Sequence, residues 1–284
     1  MDLLTWGHNP WGEWILTHIS WDLLWASLFA GFAFLLAHAS YMLLSAHRKR
    51  DAVETDRLEA ARTDLPARIS RHSLAARLFH WVMAGAMFVL LLTAFLPIVG
   101  VKFAWVQWHW IAGLVLAVSI LYHIVHATFF MDFWSIWIGP KDIPEFKAEM
   151  MRELGRDIGG PKPAKYPLGN RLYHLAIVVA GLGVVATGLL MIPRIRTGVL
   201  TRNPYYLSDV TWGLTYVSHG LAGVGLVGLV IAHVYFAVRP EKWWITKSMI
   251  FGWITRRQYL EHHEPARWPV GADGTAKAKP AGQA

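Results

Sequence analysis

Five stretches of this 284-residue sequence are each apolar for about 20 residues or more, the length an α-helix needs to cross roughly 30 Å of hydrocarbon. They run from Trp21 to Ser45, Leu78 to Val101, Phe103 to Met131, Leu172 to Pro193 and Val210 to Val238. Inside a bilayer every backbone polar group must be satisfied internally, and runs of this length and uniformity do so as helices. The expected fold class is therefore all-α, an integral membrane helical bundle. Composition agrees, with 55% hydrophobic and 16% charged residues and a mean hydropathy of +0.33.

The formal net charge of +8 would point to nucleic acid in a soluble chain. Here the basic residues are sorted by the spans. Twenty-three of the 27 Lys and Arg fall in alternate segments, Arg48 to Arg77, Lys141 to Arg171 and the stretch after Val238, whereas Lys102, Arg194, Arg196 and Arg202 are the other four. By the positive-inside rule the N-terminus and the two short loops face outward, and both basic loops and the C-terminal tail face the cytoplasm. No nucleic-acid motif accompanies the charge, and no nucleic-acid partner is expected. The first residues, MDLLTWGHNPWGEWILTHIS, lack the basic start and small-residue cleavage site of a secretory signal, so the first span is expected as a retained helix. The expected organisation is a periplasmic N-terminus with an added span over 1–45 and a cytoplasmic linker over 46–77. A four-helix core over 78–238, a cytoplasmic interfacial helix segment over 239–268 and a disordered tail over 269–284 follow. The linker, rich in Arg, Asp, Glu and Ala, reads as solvated chain or a short exposed helix. Within 239–268, Lys242 to Tyr259 sets Trp243, Trp244, Trp253 and several aliphatic residues among Lys247, Arg256 and Arg257, which suits a helix lying in the membrane surface.

The chain has no Cys, so disulfides, thiolate metal sites and cysteine nucleophiles are excluded, and a redox metal would have to be held by His, Met, carboxylate or a bound cofactor. No HExxH, GxSxG or phosphate-cradling loop is present. Fourteen His remain, several of them inside spans, where ionisable side chains are costly and usually serve a function. A lone intramembrane His is more often a hydrogen-bonded structural residue, but the pattern here is not single. His219 and His233 are 14 residues apart. In a helix this returns to within about 40° of the same face and separates the two rings by about 21 Å, which fits two haems stacked across one bilayer. Gly213, Gly220, Gly223, Gly225 and Gly228 thin the same helix, as close helix packing also requires.

Two bis-histidine haems need partners at matching depths on neighbouring helices. His109 matches His219 near the outer end, and His80 matches His233 near the inner end. His123, again 14 residues after His109, competes with His80 for the inner position, and periodicity does not choose between them. His126 and His174 belong to the same undecided group, as second-shell donors, proton-relay groups, extra ligands or structural residues.

At these residues the sequence resembles the cytochrome b gamma subunit of membrane-bound formate dehydrogenases, and more broadly the bacterial di-haem cytochrome b family that also serves hydrogenases and thiosulfate reductases. The resemblance covers about Arg71 to Trp268. It rests on RLFHW, HWIAG, DIPEF followed by KYPLGNR, TGLLM, the His219/His233 span ending HVYFAV, and MIFGWITRRQYLEHHEPARW. It implies a four-helix di-haem core plus one additional N-terminal transmembrane helix, two haem b, and His80 with His233 on the inner iron and His109 with His219 on the outer. It thus favours His80 over His123. It further implies an extracytoplasmic iron–sulfur or multihaem electron-transfer subunit, a catalytic dehydrogenase subunit carrying the substrate-oxidising site, and membrane lipid around the bundle. Menaquinone or ubiquinone would react near the cytoplasmic side, beside the inner haem and the KYPLGNR turn, with Asn170, Tyr166 and Arg171 as pocket residues. The implied setting is the bacterial cytoplasmic (inner) membrane.

Three departures stand out. Pro167 replaces an Asn of the formate dehydrogenase pattern, the outer loop from Pro97 to Trp105 is very short, and the first span has no counterpart in the minimal subunit. That span is expected to stand in for a membrane helix supplied by the iron–sulfur partner. Two other function classes compete, a proton or ion transporter using the intramembrane His, and a haem-free membrane anchor. The transporter would carry repeated halves and more polar spans; the anchor would show no Soret absorbance.

Overall fold

The computed structural model describes residues 3–20, 22–44, 59–60, 62–139, 142–153 and 162–276. In chain order the elements are β1 (Leu4–His8), β2 (Trp14–Ile19), α1 (Asp22–Leu44), β3 (Arg68–Ser70), α2 (Leu74–Phe95), α3 (Trp105–Phe130), α4 (Ile143–Glu153), α5 (Leu168–Met191), α6 (Asp209–Val238), α7 (Trp243–Phe251), β4 (Trp253–Thr255) and α8 (Arg256–His262). Five helices, α1, α2, α3, α5 and α6, are long and apolar enough to cross a membrane, and each expected span falls on one of them. The chain is an integral membrane helical bundle.

The ends of the spans shift for local reasons. Helix α2 starts before Leu78 because the Ser73 hydroxyl accepts a hydrogen bond from Ala76 N–H at 3.2 Å, and N-terminal amides otherwise have no intrahelical partner. It stops at Phe95, short of Val101, because Pro97 cannot continue the ladder. Helix α5 begins at Leu168 and not Leu172. The Pro167 carbonyl accepts from Asn170 N–H (3.0 Å) and Arg171 N–H (3.2 Å), so the KYPLGNR turn is the entrance to a helix.

Two compact units divide the chain. The first draws on Met1–Leu36, Phe79–His126 and Ala176–His233. Residues expected as a plain periplasmic N-terminus form here an antiparallel hairpin, with Leu4 opposite Ile19 and His8 opposite Trp14. Its turn is organised by Asn9, whose Oδ1 accepts from Trp11 and Glu13 N–H at 3.1 and 2.8 Å, and by Gly12 at φ 82°. Asn9 Nδ2 donates to Glu13 (2.7 Å) and to Asp209 at the start of α6 (3.2 Å). Leu16, Ile19 and Val217 bury one another with Leu23 against them. A Cβ on Gly213 would lie 2.1 Å from the Leu16 carbonyl oxygen, so this approach of strand to helix tolerates only glycine. Helix α1 continues along α6, with Ser27 Oγ donating to the Val224 carbonyl at 3.3 Å and Gly31 facing Ile231.

The second unit draws on Ala37–Leu78, Ala127–Leu175 and Val234–Ala284. Strands β3 and β4 pair antiparallel through Ile69 and Ile254. Around them Leu65, Tyr259, Leu260, Trp268 and Val270 form one buried cluster with Trp244 packed against it. Residues 239–268, expected as one interfacial helix segment, do not form a single helix. Gly252 at φ 88° ends α7, and its carbonyl accepts from Arg71 and His72 N–H at 2.8 and 3.0 Å. Helix α8 then starts with a reciprocal cap between Thr255 and Gln258. Nor is all of 269–284 a disordered tail. Val270 bridges Ala276 and Ser70 N–H donates to the Gly274 carbonyl at 2.8 Å; residues 277–284 lie outside the described set. Of the linker, residues 46–58 and 61 also lie outside it, whereas Leu65, Ile69 and Arg71 are buried. Leu65 and Ile69, four residues apart, serve a core and not a solvated helix.

Two buried polar groups hold this unit. Glu145, 1% exposed, pairs with Arg267 (2.6 Å) and Arg171 (3.5 Å), and Arg171 also binds Asp142 at 2.9 Å. Burial alone would raise the Asp142 carboxyl, but hydrogen bonds from Arg171 and Gly139 N–H outweigh it and hold it below its ordinary value. Arg71 donates to His263 Nε2 at 3.1 Å, while His263 Nδ1 bonds the Ala164 carbonyl at 2.7 Å. Burial lowers the Arg71 guanidinium to about 10, and burial together with Arg71 lowers His263 to about 3, so His263 is neutral.

Candidate haem sites

In the first unit the four core helices bring two histidine pairs together, both using α6. His109 of α3 meets His219 with ring centres 6.2 Å apart, and His80 of α2 meets His233 with ring centres also 6.2 Å apart. A direct N–H···N hydrogen bond of about 2.9 Å would bring the centres to roughly 5 Å. Two imidazoles on opposite sides of one metal, each bonded at about 2 Å, hold them roughly 6 Å apart. Both pairs have the wider spacing. Among the described residues no group of three or more His, Cys, Asp or Glu is placed to hold a metal ion, so a metal at either pair would need further ligands, such as a macrocycle supplies.

The His109/His219 pair is built in most detail. Thr93 of α2 lies 2.8 Å from His109 Nδ1, and Thr187 of α5 lies 2.9 Å from His219 Nδ1. Each hydroxyl sits on backbone carbonyls of its own helix, Val89 at 2.7 Å for Thr93 and Gly183 at 2.6 Å for Thr187. A hydroxyl has one proton. Spent on the carbonyl, it leaves the threonine oxygen to accept from imidazole Nδ1–H, and that tautomer presents a bare Nε2 to iron. Both rings open on an apolar cavity of about 490 Å³ lined by residues of all four core helices, within the range of cofactor pockets. Glycines thin its wall. A Cβ on Gly188 would come 3.3 Å from His219 Cε1, so α5 leaves little room for a side chain beside the ring. The Trp110 indole N–H at the cavity wall is buried with no partner among the described residues. Donor set, spacing, cavity and orphaned donor together fit a haem.

The remaining sequence candidates are placed differently. His123 stacks on Phe79 with ring centres 4.3 Å apart and planes 6° from parallel. His126 stacks on Tyr122, and His174 meets Trp137 edge-on. In the second unit Arg171 is committed to the buried Asp142 and Glu145, Asn170 is exposed in the first turn of α5, and Tyr166 lies under Lys165 Nζ at 5.3 Å. Thr93, Thr187 and the hairpin residue Ile19, which lines the cavity, were missed from sequence. Thr187 does fall within the TGLLM motif, the one signal that pointed to its neighbourhood.

No curated protein matches the chain. A family model described as prokaryotic cytochrome b561 matches residues 71–252, a stretch that includes all four paired histidines and excludes the hairpin and α1. With well over half of its length matched on the segment that builds both histidine pairs, the chain belongs to the prokaryotic cytochrome b561 family.

Proposed function

We propose that this chain is the membrane-anchoring subunit of a respiratory oxidoreductase, passing electrons through two b-type haems between an extracytoplasmic redox partner and a quinone near the cytoplasmic side. Family membership makes it a membrane electron-transfer cytochrome of the b type. The observation that carries the fuller reading is the pair of histidine contacts at 6.2 Å on one helix, 14 residues apart. Bound haem supplies reversible one-electron chemistry at iron. The protein's own contribution is to fix tautomer and ring orientation through Thr93 and Thr187 and to exclude water from the apolar cavity. His109 and His219 would hold the outer group, His80 and His233 the inner one.

The preferred partner is a formate dehydrogenase iron–sulfur subunit, on the resemblance of RLFHW, HWIAG and the His219/His233 span, with the substrate-oxidising site on a further subunit. For the quinone, Asn170 and Tyr166 are the side chains left once Arg171 is assigned to its ion pairs. Quinone reduction takes two protons, and the concentration of 23 of the 27 basic residues in alternate segments supports a cytoplasmic setting for these two side chains by the positive-inside rule. The test is a pyridine haemochrome assay per polypeptide on the detergent-purified chain and on His80→Ala, His123→Ala and His219→Ala. Two haems in the wild type, with one lost in the His80 and His219 variants and none in the His123 variant, support the reading. A pigment-free wild type overturns it. Haem reduction by added menaquinol or ubiquinol, slowed in Asn170→Ala, tests the quinone side.

A further inference from the structure

The cavity that holds His109 and His219 has no Lys, Arg, Asp or Glu in its lining. A haem, however, carries two carboxylates, and an ionised carboxylate in an apolar cavity is strongly unfavourable unless it is paired. Its propionates must therefore leave the cavity where cations are available. An open cleft adjoins it and shares Trp105, Val106 and Ile195 with its wall, and the cleft is lined by Arg194, Arg196 and Arg202. These are three of only four basic residues in the two sparsely charged interhelical segments. Depletion elsewhere makes their gathering at one cleft informative.

The three arginines are not equivalent. Arg194 is already neutralised by Asp209 at 3.4 Å, donates to the Pro204 carbonyl at 2.6 Å and lies over Trp212. Among the described residues Arg202 bonds through Nε alone, to the Arg194 carbonyl at 3.0 Å, which fixes its stem and leaves its terminal nitrogens available. Arg196 and Arg202 have no carboxylate within ion-pair distance among the described residues. A planar fork matches a carboxylate by two parallel hydrogen bonds.

We propose that Arg196 and Arg202 form the anion subsite of the outer haem, holding its propionate carboxylates at the mouth of the cavity while Arg194 supports the loop that presents them. The proposal rests on the outer histidine pair binding haem. It makes two physical demands. Removing the arginines must weaken retention of the outer group, and it must lower that group's reduction potential, since nearby positive charge favours the ferrous form.

The experiment uses the full chain in detergent, prepared without haem and reconstituted with protohaem or its dimethyl ester, in the wild type, Arg196→Gln, Arg202→Gln and the double variant. Each is also made in the His80→Ala background, so that only the outer pair is filled. Haem transfer to excess apomyoglobin and redox titration are the readouts. With protohaem, the double variant is expected to lose the outer group roughly tenfold faster or more and to titrate at a lower potential. With the dimethyl ester, which has no carboxylate, wild type and double variant are expected to lose the group at the same rate, whereas the potential still falls because the arginine charge acts on the iron directly. Unchanged protohaem retention and potential overturn the proposal and leave the arginines to an acidic partner protein. An equal loss with protohaem and ester also overturns it, since the arginines would then act on the loop alone. A wild type that binds no haem, or a haem that survives His219→Ala in the His80→Ala background, refutes the underlying assignment, and both are read before any arginine is changed.

Discussion

Replacing Thr187 by valine removes one oxygen from the His109/His219 site, the outer one in the proposed orientation, and keeps the β-branched shape. That oxygen lies 2.9 Å from His219 Nδ1, and its proton is directed at the Gly183 carbonyl at 2.6 Å. Without it the imidazole N–H loses its acceptor in a largely apolar surrounding, at about 1–3 kcal/mol for a buried unsatisfied group. Partners of this kind behind metal-binding histidines change affinity roughly 10- to 100-fold, which is the same range. Thr187→Val is therefore predicted to lose outer haem about 10- to 100-fold faster than wild type, measured by haem transfer to apomyoglobin at fixed detergent and pH. Thr187→Ser, which restores the hydroxyl, should recover most of the loss. If serine and valine weaken the site equally, the effect belongs to packing beside Gly188 and the tautomer argument is wrong.

Other expectations follow from the same coordinates. Thr93→Val should act on His109 in the same direction, and combining it with Thr187→Val should leave haem at the inner pair intact by spectral count. Glu145→Ala removes the carboxylate between Arg171 and Arg267 and is predicted to cost about 3–5 kcal/mol; denaturation of the variant within about 1 kcal/mol of wild type would contradict this. Gly252→Ala forces a side chain into φ 88° with its Cβ 2.9 Å from the His72 carbonyl oxygen, and a loss of about 1–3 kcal/mol is expected by thermal unfolding. Burial and Arg71 hold His263 near about 3, below the roughly 6.5 of an unfolded imidazole. Between these values the unfolded chain binds the extra proton, so stability is full above about pH 6.5 and falls as the medium is acidified, by up to about 1.4 kcal/mol per pH unit. His263→Gln should flatten that slope in tryptophan-fluorescence melts, and an unchanged slope would exclude His263 as its source.

What was legible in the sequence is what repeats along one helix. Apolar length located all five spans, and a 14-residue interval placed His219 and His233 on one face because helix geometry needs no tertiary information. Pairing across helices is different. His123 and His80 are equally periodic candidates, and only packing stacks His123 on Phe79 and brings His80 to His233. Thr93 and Thr187 lie 16 and 32 residues from the rings they orient, so no local pattern marks them. The hairpin was missed because its strands are five and six residues long, and its stability comes from a carbonyl resting on Gly213, a contact with no local counterpart. In residues 239–268, amphipathicity masks Gly252, whose positive φ breaks the helix in two.

The bond from Asn9 to Asp209 joins residues 200 apart, and this has a consequence for biogenesis. At synthesis rates of about 5–20 residues per second, the hairpin is translated roughly 10–40 s before the helix it rests on. During that interval Leu16 and Ile19 have no Val217 to cover them, and the Leu16 carbonyl has no glycine to settle against. The hairpin, although made well before α6, is thus among the last elements to lock. Nascent chains arrested before residue 209 should leave the Trp-rich hairpin open to protease, and chains released beyond residue 238 should protect it.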